Sequence, residues 1–455
     1  MVKVGRIRKT MMQKRQSKNF QIRSILFLII FNFFLSGCDV FNFDLDFFSG
    51  NSSNIQDVES DQPDMVATVE QTAAPTRIPI DDDVISIWMQ PDFDPDSNNR
   101  AAEQLKIHLE NYLDENSGVK IDYRLKGADG ANSILQTLSI TADAAPDALP
   151  TVVLLSRKDM EEAASLGLIR PIDFFADVFE NNDWYPFAVE MGIYKNEMYG
   201  LPFAADVMVM ATKNGISKTN YVPLTSQPIQ FGEIGFAAGN QKSLLPYLWY
   251  QSAGGKFLTE SGPIKLEEEA LFTLFTTIIE NRNAGNFNFS LTQYTSQDDL
   301  WEAYTDGDLE SVIIWSSKLL ANSNESAMTF IPSIGNAPYT YADGWVWCLV
   351  QKDTSDMDRN IDFMQYIVSP EFLQEWTPET NYVPVRRSTT DFMDIRQPLI
   401  DDLLLSADII PPVSIRGISE QILHEEVLQL LQGKTSPELA TQTVLALLEE
   451  AQQSE

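Results

Sequence analysis

Apolar and polar positions alternate along Val84-Ile-Ser-Ile-Trp88, a β-branched run that reads as a strand. The period then changes. Ala101, Leu105, Leu109 and Tyr112 fall at spacings of four, four and three, the stripe of a helix that Gly118 stops. Val119-Lys-Ile-Asp-Tyr123 returns to a strand pattern, and a second helix covers about 132–142. Thr151-Val-Val-Leu-Leu155 is apolar almost throughout, as in a strand buried on both faces. Ser156, with Asp159 three residues on, caps a helix through Leu166 that Gly167 and Pro171 close. This strand–helix–strand order predicts an α/β sheet with right-handed crossovers. Far downstream, Ile422, Leu423, Val427, Leu430 and Leu431 form an apolar stripe ended by Gly433. Ser436-Pro437 restarts a helix carried by Ala440, Val444 and Leu448.

The N-terminus follows a different pattern. Eight basic residues and no acid precede Cys38, and the mostly apolar run from Ile25 to Leu35 is 11 residues long. A membrane span needs about 20, so this run predicts a secretion signal rather than a transmembrane helix. Leu35-Ser-Gly-Cys38 resembles the bacterial lipobox, which implies cleavage after residue 37 and a lipid on Cys38. Met11 and Met12 are alternative starts that leave a shorter signal. Residues 38–83 are rich in Asp, Asn, Ser, Gln, Pro and Thr and read as a flexible tether. Its reach is on the order of 35–40 Å. Phe41, Phe43, Phe47 and Phe48 sit beside Cys38, where they can enter a bilayer interface.

Charge narrows the function. Without the first 37 residues the chain carries 24 basic and 65 acidic side chains, a formal charge of −41. Such a field repels phosphate backbones, which excludes nucleic acid as a partner. Two Cys and two His rule out a disulfide scaffold and leave little for a Cys/His metal site, so neither metal nor cofactor is expected. His108 lies on the apolar side of its helix and reads as packed; His424, beside Glu425 and Glu426, reads as exposed. No GxGxxG, GxxxxGK[ST], HExxH or GxSxG is present.

A series of segments in a fixed order carries a resemblance. They are Ala145-Pro-Asp-Ala-Leu-Pro150, Ala163-Ala-Ser-Leu-Gly-Leu-Ile-Arg-Pro-Ile-Asp173, Tyr199-Gly-Leu-Pro-Phe-Ala204, Ser252-Ala-Gly-Gly255, Asp343-Gly-Trp-Val-Trp347, Tyr382-Val-Pro-Val-Arg386 and Gly433-Lys-Thr-Ser-Pro437. In this order they resemble the extracellular solute-binding lipoproteins of bacterial ABC importers, the maltose- and sugar-binding family 1. The resemblance implies a two-lobed α/β fold of the periplasmic-binding-protein type II, with a ligand cleft between lobes joined by hinge crossings. Lobe one is expected at 84–203 plus 333–368, and lobe two at 204–332 plus 369–455. A monomer on the outer face of the cytoplasmic membrane, partnered by permease subunits, is the implied setting. Catalysis is not.

A sugar asks for a flat aromatic against its C–H face and charged or amide groups for its hydroxyls. Ligands of open α/β sheets sit beyond the carboxyl ends of strands. Those grounds give Trp88, Ser156 and Arg157 as candidate ligand residues; the resemblance implies an acid at Asp206 and stacked aromatics at Trp249 and Tyr250 before the Gly254-Gly255 turn and at Trp315; Trp345, which opens the strand returning to lobe one, and Arg416, ahead of the late helix, complete the candidates. Each has a plain structural reading as well: Ser156 as a cap, the glycines as a turn, the tryptophans as core. Trp347, Cys348 and Leu349 read as sheet interior. Two other functions stay open, a binder of cationic solutes such as polyamines or peptides, and a cell-surface glycoside hydrolase using two carboxylates.

Overall fold

The computed structural model describes residues 83–172, 179, 182–213, 221–224, 232–258, 265–322, 326–352, 357–392 and 399–453. The expected signal, Cys38, the aromatics at 41–48 and the expected tether up to residue 82 lie outside the described residues.

In chain order the first elements are β1 (Val84–Met89), α1 (Arg100–Glu115), β2 (Lys120–Leu125), α2 (Ile134–Ala144), β3 (Val152–Ser156), α3 (Arg157–Ser165) and α4 (Pro186–Met191). A short hairpin, β4 (Ile193–Tyr194) and β5 (Glu197–Met198), leads into the long strand β6 (Gly200–Thr212). Next come β7 (Ile234–Gly235), α5 (Leu245–Ser252), the hairpin β8 (Phe257–Leu258) and β9 (Lys265–Leu266), α6 (Glu268–Ala284) and α7 (Gln297–Asp306). The order continues with β10 (Ser311–Trp315), α8 (Ser316–Leu320), β11 (Ala327–Thr329), β12 (Thr340–Leu349), α9 (Met357–Ile367) and α10 (Pro370–Trp376). α11 (Ile400–Leu405), β13 (Ala407–Ile409), α12 (Val413–Leu431) and α13 (Pro437–Gln452) complete the chain.

The expected strands and helices are present, with ends moved by a residue or two. Caps set the helix starts: Ser133, Ser156 and Ser436 accept the amides of Gln136, Asp159 and Leu439. Among the described residues nine strands form one sheet, along the path β2-β1-β3-β12-β6-β10-β7, with β13 beside β12 and β11 beside β6. β1 pairs parallel with β2 and β3, while β12 runs antiparallel between β3 and β6. This places the strand that returns from residue 340 at the centre of the sheet.

β6 is buried along its whole length, and its period-two alternation divides two cores. Val207, Val209 and Ala211 join a core that includes Ile87, Val153, Phe203, Trp347 and Phe372. Met208 and Met210 face a second core with Trp249, Phe275, Leu423, Val427 and Val444. The same parity holds on β10, where Val312 and Ile314 join the first core and Ile313 the second. α10, expected in lobe two with 369–455, packs on α1: Phe372 stacks on His108 at 3.9 Å and Trp376 on Phe203 at 4.4 Å.

His108 is packed as expected, its Nε2 3.0 Å from the Tyr366 carbonyl and its ring stacked on Tyr366. Burial pushes its pKa down to about 4. His424 is the reverse of the expectation. It is only 3% exposed, with Nε2 3.0 Å from the Ala238 carbonyl. On a helix, residue 424 shares a face with 427 and 431, and that spacing outweighs the acidic neighbours. Trp347, Cys348 and Leu349 are interior, and burial pushes the Cys348 thiol well up.

Candidate functional site

Four segments enclose a cleft of about 880 Å³. β1 ends at Met89, and the chain turns through Pro91-Asp92-Phe93 before α1, whose start is capped by the Asn99 side chain on the Ala102 amide. Facing it, β10 ends at Trp315 and passes straight into α8, which supplies Ser317 and Lys318, with Ala321 just after it. Trp345, midway along β12, and the stretch from Trp376 to Tyr382 complete the lining. The last segment is pinned to the crossing strand, because the Val383 amide donates to the Ala205 carbonyl at 2.8 Å.

Aromatic rings shape one side. Phe93 stacks on Tyr382 at 5.6 Å and meets Trp345 edge-on at 5.5 Å; Trp345 and Tyr382 are 4.6 Å apart. Phe93 is buried, whereas Trp345 and Tyr382 stay half-buried and present surface to the cleft. Trp345 Nε1 donates to Gln90 Oε1 at 3.3 Å, which fixes the indole against the end of β1.

Beneath the cleft, Asp206 of β6 and Asp343 of β12 are direct cross-strand partners, so their side chains share one face. Asp206 is 8% exposed. Its Oδ1 accepts from Ser316 Oγ at 2.5 Å and the Ser317 amide at 2.9 Å, and its Oδ2 accepts from Ser317 Oγ at 2.5 Å. Burial raises the Asp206 pKa to about 6; the serine hydrogen bonds oppose the rise and the Asp343 charge adds to it. Asp343 is also raised, first by burial, while Arg157 and Arg416 pull it back.

The sequence candidates divide sharply. Trp345 lines the cleft, from the middle of its strand rather than the opening position expected. Asp206 lies under the cleft with both oxygens engaged by serines. Arg157 is 5% exposed, its Nη2 2.6 Å from Glu161 and its Nη1 donating to the Glu190 carbonyl at 2.9 Å. Arg416 is likewise committed, to the Pro411 carbonyl at 2.8 Å and to Glu420. Both guanidinium groups act on Asp343 without bonding to it. Ser156 caps α3 and sits opposite Trp345 in the strand register.

Others leave the cleft altogether. Trp88 is 3% exposed, with Lys126 Nζ 4.8 Å from its ring centroid. Trp249 belongs to the second core, donates to the Pro332 carbonyl at 2.9 Å and stacks on Phe287. Tyr250 is buried and bonds the Lys256 carbonyl and the Glu267 amide. Gly254 takes φ +92°, and a Cβ on Gly255 would lie 2.4 Å from the Tyr250 ring, so the pair is a turn. Trp315 borders a separate hollow of about 80 Å³ with Lys242 and Gln297. Among the lining residues missed by sequence reasoning are Asp92, Phe93, Asp94, Ser317, Lys318, Trp376, Glu379, Asn381 and Tyr382. The carboxyl-end rule itself pointed just past β1 and β10, and Tyr382 opens a segment already singled out by resemblance.

Among the described residues no group of three or more His, Cys, Asp or Glu side chains is placed to hold a metal ion, and no helix is long and apolar enough to cross a membrane. A family model for the bacterial extracellular solute-binding proteins matches residues 109–397. The chain belongs to that family. No curated protein sequence matches this solute-binding protein. Solved structures do. The cyclic α-maltosyl-1,6-maltose binding protein from Arthrobacter globiformis is similar at a TM-score of 0.64 and 16% identity, over 82% of this chain and 99% of its own. The maltodextrin-binding protein of L. casei BL23 gives 0.64 at 11%, over 80% and 98%. A Staphylococcus aureus extracellular solute-binding protein in complex with maltose gives 0.63 at 15%, over 81% and 97%. The fold of this solute-binding protein is thus the two-lobed periplasmic-binding type II architecture.

Proposed function

We propose that this protein captures a saccharide between its lobes and hands it, unaltered, to the permease of an ABC importer. The observation that carries the reading is the cleft itself. Half-buried Trp345 and Tyr382 offer flat apolar faces, and Ser317, Asp92, Asn381 and Glu379 offer hydroxyl-bonding groups beside them. The maltose- and maltodextrin-binding relatives support the same class of ligand. A ligand that touches both the Pro91–Phe93 turn and α8 gains contacts only when the cleft narrows, so it shifts the population toward closure. The crossing strands β6 and β12 are the hinge in this reading. Cys38 carries the lipid that holds the protein, as a monomer, at the outer face of the membrane.

A thermal-shift panel of mono- and oligosaccharides, polyamines and peptides tests it. Stabilisation follows RT ln(1 + [L]/Kd), about 2.7 kcal/mol at a hundredfold excess over Kd. A saccharide that raises the melting temperature supports the reading; a panel in which only peptides or polyamines do so overturns it.

A further inference from the structure

The cleft carries more negative charge than a neutral ligand needs. Asp92, Asp94 and Glu379 line it, and Lys318 is the one basic side chain that does so among the described residues. Lys318 is already drawn to Asp298, away from the lining. Glu379 is met by Arg100 at 2.9 Å, and Asp94 Oδ1 accepts the Asp96 amide at 2.9 Å. The exposed carboxylate of Asp92 has neither hydrogen bond nor ion pair among the described residues. It lines the same cleft as Tyr382, whose phenol is pushed up first by burial and then by the charges of Asp92 and Asp206. The unpaired carboxylate of Asp92 thus lines the same cleft as a half-buried phenol ring whose centroid sits 4.6 Å from that of an indole.

Closing the lobes over a neutral solute would strip water from Asp92 without giving it a countercharge, which is costly. An ammonium group removes that cost and is attracted to the faces of Trp345 and Tyr382. We propose that the solute is a saccharide bearing a protonated amine, its ammonium paired with Asp92 and packed against the Trp345 and Tyr382 rings. Asp206, whose oxygens are held by Ser316 and Ser317, contributes field rather than contact. The proposal rests on the saccharide reading above and narrows it.

Titration calorimetry of the full chain in detergent, at about pH 6.5 where an amine stays protonated, decides it. The probes are a glucosamine oligosaccharide, its fully N-acetylated counterpart, a maltooligosaccharide and spermidine. The amine-bearing saccharide should bind about tenfold more tightly than the acetylated one, the margin of a charge-assisted over a neutral hydrogen bond. Added salt should shrink that ratio. Asp92→Asn should bring it to about one, with the ligand-free melting temperature confirming that the variant is folded. Equal or tighter binding of the neutral saccharides overturns the ammonium proposal and leaves the saccharide reading standing. Binding of spermidine alone, or of none of the four, overturns both.

Discussion

Replacing Asp206 by Asn removes a buried charge while keeping the shape of the side chain. The carboxyl titrates at about 6 in the folded protein and near 3.8 when freed from it. The folded state therefore takes up the proton first, and acidification stabilises the protein through this group. Each pH unit across that gap is worth about 1.4 kcal/mol. The linkage relation then gives about 1.3 kcal/mol between pH 7 and 5, and a little over 2 kcal/mol by pH 4. Asn cannot titrate, so subtracting the two stabilities at each pH cancels the other groups that behave alike in both proteins. Urea unfolding of wild type and Asp206→Asn at pH 7, 6, 5 and 4 is the assay. Wild type should gain on the variant as pH falls. A difference that is flat with pH, or that runs the other way, refutes the picture of a desolvated carboxylate pinned between Ser316, Ser317 and Asp343.

Trp345→Ala should weaken saccharide binding about tenfold or more, since it deletes an aromatic platform of the cleft; an unchanged ligand-induced melting shift would remove Trp345 from the site. Gly255→Ala should cost about 1–3 kcal/mol in urea unfolding, because its Cβ would press on the Tyr250 ring at 2.4 Å. Burial keeps His108 neutral, with its pKa at about 4 against an ordinary 6.5, so stability is lost as pH falls through that window. His108→Phe should lose less stability than wild type over the same range, read by the same unfolding series. Cys38→Ser should move the protein from the membrane fraction to the soluble fraction of cells; retention in the membrane would argue against the lipid anchor.

The sheet was legible because its strands are buried on both faces or alternate cleanly. Val84–Trp88 and Thr151–Leu155 fell within a residue of β1 and β3. The serine caps were equally readable, since a hydroxyl before an apolar-periodic stretch has a local job. The cleft was not. Its parts come from the turn after β1, the start of α8, the middle of β12 and the segment before Val383, and none of these has a period to read. What joins them is the placement of β12 between β3, nearly two hundred residues earlier, and β6, about 140 residues earlier. Aromatic candidates failed for a related reason. Trp88, Trp249 and Trp345 are the same residue type, and only the face each presents separates core from cleft. His424 failed because its charged neighbours in sequence point elsewhere on the helix.

A crystal structure of the protein with a bound oligosaccharide tests the central claim most directly. The account predicts a sugar ring against Trp345 and Tyr382, with Ser317 of α8 and the Pro91–Phe93 turn drawn in from opposite sides. A ligand seated instead in the hollow at Trp315, or the 880 Å³ cleft left empty beside an occupied site elsewhere, would contradict it.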